Sequence, residues 1–285
     1  KSDRFGLRNK DLKWNNLYKN KNIFLLGDSF IHGYAVKENF TISEIVERKT
    51  NINTFNIGNG GNGPYEYSAN IKTLLAPIIK KSTKKNKIIL FIYDNDNEKY
   101  NKQKEFLLSS VEPIIKNNSI NNILATENYI NNLEKLINNS YDLSEEGLIK
   151  DLKKWKNWRL KNRTLLNLFS LQKVRSRIKI LKDKNNINYI NLPIQNTLNS
   201  LKNNCRNPCQ AYVAYIPNSS FWRPNKKAKD FKKYVKDISM NLDLIFIDGE
   251  EVLDKNNNYN YAPKGPHLSI TGYSKLANFI SDKIK

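Results

Sequence analysis

Asn22-Ile23-Phe24-Leu25-Leu26-Gly27-Asp28-Ser29-Phe30-Ile31-His32-Gly33 decides the fold of this chain. Ile23–Leu26 is a continuous apolar run rather than an alternating one, which is how a parallel strand covered on both faces reads. Gly27-Asp28 breaks the run and leaves Ser29 at the mouth of the strand. A serine there can open the next helical turn, where unpaired backbone N–H groups point toward an incoming oxyanion. Asp28 is expected to hold the turn through side-chain hydrogen bonds rather than to act as a base. Taken alone, Ser29 is an ordinary turn serine, and its chemical weight comes from the segments downstream.

Outward from this stretch, strand-like runs recur at Asn53–Ile57, Lys87–Tyr93, Asn188–Leu192, Ala211–Ile216 and Leu244–Ile247. Between them, Ile42–Arg48, Tyr65–Lys80, Ala228–Leu242 and Ile270–Ile284 carry apolar residues at a spacing near 3.6. Alternating strands and helices imply an α/β fold, a doubly wound and mostly parallel sheet sandwiched by helices, with ligands bound beyond the carboxyl ends of the strands. The region from about 99 to 184 breaks the rhythm. It is rich in Leu, Ile, Lys and Asn, carries Trp155 and Trp158, and shows no clear strand. It is expected to be a largely helical insertion within one domain spanning 1–285.

Three further segments supply chemistry. Asn56-Ile57-Gly58-Asn59-Gly60-Gly61-Asn62-Gly63-Pro64 follows the second strand and packs four glycines into six positions. Such a loop allows close backbone approach and can aim an amide N–H at developing negative charge. It lacks the Lys-Ser/Thr ending of a phosphate loop. Asn95, in Tyr93-Asp94-Asn95-Asp96, closes a buried strand and offers a neutral donor for an oxyanion. Pro263-Lys264-Gly265-Pro266-His267-Leu268-Ser269 precedes an amphipathic terminal helix. The chain has only two histidines. His32, three positions after Ser29, is placed to pack locally, so His267 is the expected base, provided the sheet brings it within about 3 Å of Ser29.

Composition bounds the rest. With 285 residues, 39% hydrophobic and 11% aromatic, the chain is too apolar to be disordered and long enough for one large α/β domain. No run approaches the roughly eighteen apolar residues of a membrane span. The chain opens on Lys1, and a segment upstream, a signal peptide or membrane anchor, is expected. A formal charge of +21 and a pI near 9.7 invite a nucleic-acid reading, but the excess is lysine scattered through every segment, with asparagine and isoleucine abundant alongside it, so no nucleic-acid partner is expected. The positive field suits acidic glycans or lipid headgroups. Cys205 and Cys209 have no accompanying Cys or His pair, which argues against zinc. They form either a small disulfide loop, in keeping with an exported protein, or two free thiols. No cofactor or metal is expected.

The four segments together resemble the SGNH (GDSL-type) hydrolase superfamily, in the family's order and over most of the chain. The resemblance implies Ser29 as nucleophile and His267 as base, with the oxyanion received by the Ser29 and Gly61 N–H groups and the Asn95 side chain. It also implies no cofactor and a substrate that is an O-acyl ester, an acetyl ester on a glycan outside the cytoplasm being the leading expectation. An O-acyltransferase acting on a polysaccharide and a non-catalytic glycan-binding domain are the alternatives. The sequence departs from the family in one place. The aspartate usually found three residues before the histidine is replaced by Lys264. Three outcomes stay open: a backbone carbonyl orienting His267, a substitute carboxylate from Asp254 or Asp248, or a site that binds without catalysing.

Overall fold

The computed structural model describes residues 2–96, 192–206, 208–220, 228–263 and 265–285. These belong to one compact unit, Lys1–Lys102 with Lys182–Lys285. The second unit, Gln103–Leu181, and with it the expected helical insertion, lies outside the described residues.

Among the described residues, five parallel strands form the sheet: β1 Asn22–Gly27, β2 Asn53–Gly58, β3 Asn86–Tyr93, β4 Cys209–Ile216 and β5 Ile245–Asp248. Their order is β2-β1-β3-β4-β5. The chain steps from β1 to β2 on one side and then returns to β3 on the other. The direction of winding therefore reverses at β1/β3, and in such sheets the crevice outside the carboxyl ends of those strands is where ligands bind. The continuous apolar reading of β1 has its cause here, because both faces of the strand are covered. Phe24 and Leu26 join Phe55, Ile57, Ile88 and Leu90 in one core. Ile23 and Leu25 join Ile89, Phe91, Tyr212 and Ala214 in the other.

Helices α1 Ser29–His32, α2 Ile42–Thr50, α3 Pro64–Asn70, α4 Ala76–Lys81, α5 Leu192–Asn204, α6 Ala228–Asn241 and α7 Ile270–Lys283 connect the strands. A π-helical turn, Ile71–Leu75, joins α3 to α4, so the helix expected over Tyr65–Lys80 forms with one irregularity. Pro77 lies in the first turn of α4; its missing N–H cannot continue the i→i−4 ladder, the usual cause of such a break. One expectation needs correcting. Leu192, taken as the end of a strand, opens α5; residues 188–191 lie outside the described residues. Proline is welcome in the first turn of a helix, and Ile194, Leu198 and Leu201 are buried at helical spacing. Cys205 and Cys209 are joined in a disulfide, which staples the end of α5 to the start of β4.

The sequence reading assigned no role to residues 2–16, yet they strap the β2 edge. The buried Asp3 carboxylate accepts hydrogen bonds from the backbone of Phe5 and Leu7, from Asn9 Nδ2 and from Trp14 Nε1. Asn9 in turn bonds both the N–H and the carbonyl of Asn56 in β2.

Candidate active site

Ser29 is the first residue of α1, directly after β1. Asp28 caps this short helix, its Oδ1 accepting the Phe30 N–H at 3.0 Å, which is the turn-holding role expected of it. The helix sits tightly on the ends of β1 and β2 because those strands end in glycine. A Cβ on Gly58 would lie 2.5 Å from the His32 backbone nitrogen, a contact that only a glycine tolerates. At its far end Arg8 donates to the carbonyls of His32, Gly33 and Val36, satisfying acceptors that a helix terminus leaves open.

His267 approaches from the other end of the chain. Tyr261 and Leu268 form an antiparallel bridge, and the Ala262 N–H donates to the His267 carbonyl at 2.7 Å, so the histidine rides on a closed loop just before α7. Ser269 caps that helix, its Oγ accepting the Gly272 N–H at 3.1 Å. The result is a contact of 2.9 Å between His267 Nε2 and Ser29 Oγ, across 238 positions of sequence. For Ser29 to donate, Nε2 carries the lone pair and Nδ1 the proton.

The imidazole packs against two rings. Phe30 lies 5.0 Å from it, centroid to centroid, and Tyr34 lies 4.9 Å away. Phe30 is itself backed by Tyr93 at 4.3 Å. The two carboxylates considered as orienting acids have the following partners. Asp248 gives one oxygen to the Glu250 N–H and the other to the Lys232 ammonium. Asp254 accepts the Asn256 N–H in an exposed turn. Lys264 lies outside the described residues.

The glycine loop and the Asn95 turn flank the same strand ends. Asn59 N–H and Asn62 Nδ2 both reach toward the Gly27 carbonyl, at 3.4 and 3.5 Å. Gly61 adopts φ +85, a left-handed conformation that a side chain would strain. Asn95 stands between two buried carboxylates. Asp94 accepts from Tyr215 Oη at 3.1 Å and Asn218 Nδ2 at 2.9 Å. Asp96 accepts the Tyr93 N–H at 2.9 Å, and the Tyr67 hydroxyl lies 3.3 Å from both its oxygens. Burial, followed by the neighbouring carboxylates, pushes both tyrosine hydroxyls up from their ordinary range, so each stays a donor. Tyr67 therefore ties α3, and with it the glycine loop, to the Asn95 turn. Asn95 Oδ1 is buried with no hydrogen-bond partner among the described residues. The sequence reading missed Tyr34, Arg8 and the Tyr67–Asp96 and Tyr215–Asp94 pairs. Only the aromatic at position 34, so close to Ser29, could have been suspected from sequence.

Among the described residues no group of His, Cys, Asp and Glu is arranged to hold a metal ion. None of the described helices is long and apolar enough to cross a membrane.

No protein-family model and no curated protein matches the sequence. Solved structures do match it. A carbohydrate acetylesterase from Sinorhizobium meliloti is 10% identical, with 93% of this chain and 98% of that one aligned at a TM-score of 0.51. A member of the lipolytic G-D-S-L family from Veillonella parvula DSM 2008 is 12% identical, with 92% and 97% aligned at a TM-score of 0.51. Similarity of this order speaks to architecture, and the architecture agrees in strand direction and helical layers. In its fold, this chain is similar to these solved carbohydrate acetylesterase and G-D-S-L family structures.

Proposed function

We propose that the protein is a serine ester hydrolase that removes an O-acyl group, an acetyl group from a glycan in the leading case. The observation that carries this reading is the 2.9 Å contact between Ser29 Oγ and His267 Nε2, within the range a general base needs, at the carboxyl edge of the sheet. The acetyl and glycan parts take support from the fold shared with the Sinorhizobium carbohydrate acetylesterase. On this reading the setting is extracytoplasmic, which the Cys205–Cys209 disulfide supports, since such bonds persist in oxidising compartments.

In the first half-reaction His267 Nε2 takes the Ser29 proton as Oγ bonds to the carbonyl carbon. The Ser29 and Gly61 N–H groups and the Asn95 amide receive the charge on the carbonyl oxygen. The carbon–oxygen bond to the alcohol then breaks, and the proton on Nε2 passes to the departing oxygen. Water repeats the sequence on the acyl-Ser29, releasing the acid and restoring both side chains. Phe30 and Tyr34 pack against the imidazole that acts as this base.

The test is covalent labelling by a fluorophosphonate together with hydrolysis of p-nitrophenyl acetate. Wild type should label and turn over, whereas Ser29→Ala should not label and His267→Ala should lose nearly all turnover. A wild-type protein that neither labels nor hydrolyses the ester would falsify the reading. Free acetate as product, rather than an ester on an added sugar, separates hydrolysis from acyl transfer.

A further inference from the structure

The proton that His267 returns goes to the oxygen of the leaving alcohol. The alcohol portion of an ester must therefore lie against the imidazole, whatever the acyl group is. Two rings line that imidazole, and they differ in character. Phe30, 1% exposed, belongs to the core; Tyr34, 60% exposed, packs on His267 while turning the rest of its ring to solvent. The Tyr34 backbone is fixed on both sides, its N–H donating to the Ser29 carbonyl at 3.0 Å and its carbonyl accepting from Tyr273 Oη at 3.3 Å. The next residue, Ala35, is held at φ +72. A non-glycine residue in that region persists only where its surroundings impose it, and such residues cluster at ligand clamps. A rigid, exposed aromatic beside the proton donor is more than packing of the imidazole requires, because Phe30 already supplies that from the core side.

We propose that Tyr34 is the platform for the alcohol portion of the substrate and that this portion is a pyranose ring. The proposal rests on the esterase reading above and names its leaving group. An open aromatic face suits an amphipathic ring, which lays its C–H face on the tyrosine while its hydroxyl edge stays hydrated. An alkyl alcohol would gain little at a wall this exposed, since its burial needs enclosure. Tyrosine gives this contact area with few torsions to freeze.

The experiment compares kcat/KM on a monoacetylated methyl pyranoside with kcat/KM on ethyl acetate, for wild type, Tyr34→Trp, Tyr34→Leu and Tyr34→Ala. The ratio is the readout, because any loss of His267 packing affects both esters alike. The expected result is a fall in the ratio of about tenfold in Tyr34→Ala and Tyr34→Leu, the size of a lost aromatic contact, and a ratio near wild type in Tyr34→Trp. A ratio within about twofold in all variants, less than the smallest aromatic contact, overturns the platform. Fluorophosphonate labelling of wild type at Ser29 separates the two readings. Labelling with an unmoved ratio leaves the esterase standing without the platform. No labelling and no turnover of either ester removes both.

Discussion

Asn95 shows how much one side chain at this site depends on its neighbours. Asp94 and Asp96, 1% and 3% exposed, would each be costly to bury without partners. Each is partnered, Asp94 with Tyr215 and Asn218 and Asp96 with Tyr93 and Tyr67, and so the turn between them is rigid. On the proposed esterase reading, a donor held by such a turn needs no reorganisation when charge develops on the substrate, and that would be the source of its catalytic value. Asn95→Ala should therefore lower kcat on p-nitrophenyl acetate by about 10²–10³ with little change in KM. An equal loss confined to KM, seen in steady-state kinetics, would place Asn95 in ground-state binding instead.

At the level of elements, the N-terminal strap and α2 are joined through charge. Lys13, whose side chain is 8% exposed, reaches Glu44 at 3.1 Å and Glu47 at 2.6 Å and also the Thr54 carbonyl in β2. Burial pushes the Glu44 carboxyl up, but the Lys13 and Lys10 ammonium groups outweigh it and hold the group below its ordinary value. A carboxyl lowered in the folded state binds fewer protons than in the unfolded chain, so its contribution is complete above the unfolded value and is lost as pH falls through the folded one. Urea unfolding should show stability declining as pH drops from about 5 toward 3, with Glu44→Gln declining less steeply over that window. Identical slopes would mean that Glu44 does not couple the strap to α2.

For the whole molecule, the disulfide is the one covalent cross-link among the described residues. It closes a loop between α5 and β4, next to the central strand pair β3/β4. Closing so short a loop is worth about 2 kcal/mol through the unfolded chain, which corresponds to roughly 4–8 °C in Tm for a domain of this size. The Cys205→Ser/Cys209→Ser double variant should melt lower by that amount, and wild type in dithiothreitol should match it. A melting temperature insensitive to both would show that the link adds no stability.

Local patterning was enough for much of this architecture. Continuous apolar runs name β1 and β3 because strands covered on two faces leave no room for alternation, and helical spacing names α2, α6 and α7 because each buries one stripe. Glycine and asparagine at the strand ends marked the loops that gather around Ser29. Leu192 was misread because a short apolar run has no period of its own, and the helix it opens becomes clear only from burial at Ile194, Leu198 and Leu201. The sequence by itself determined that a parallel α/β sheet forms and that a serine stands just past its first strand, since both follow from neighbours within a few residues. The tertiary structure alone decided that His267 meets Ser29 across 238 positions, that Tyr34 flanks the imidazole, and that Asp3, Arg8 and Tyr67 brace the site. Those contacts depend on which strand ends lie side by side, and no local period encodes that.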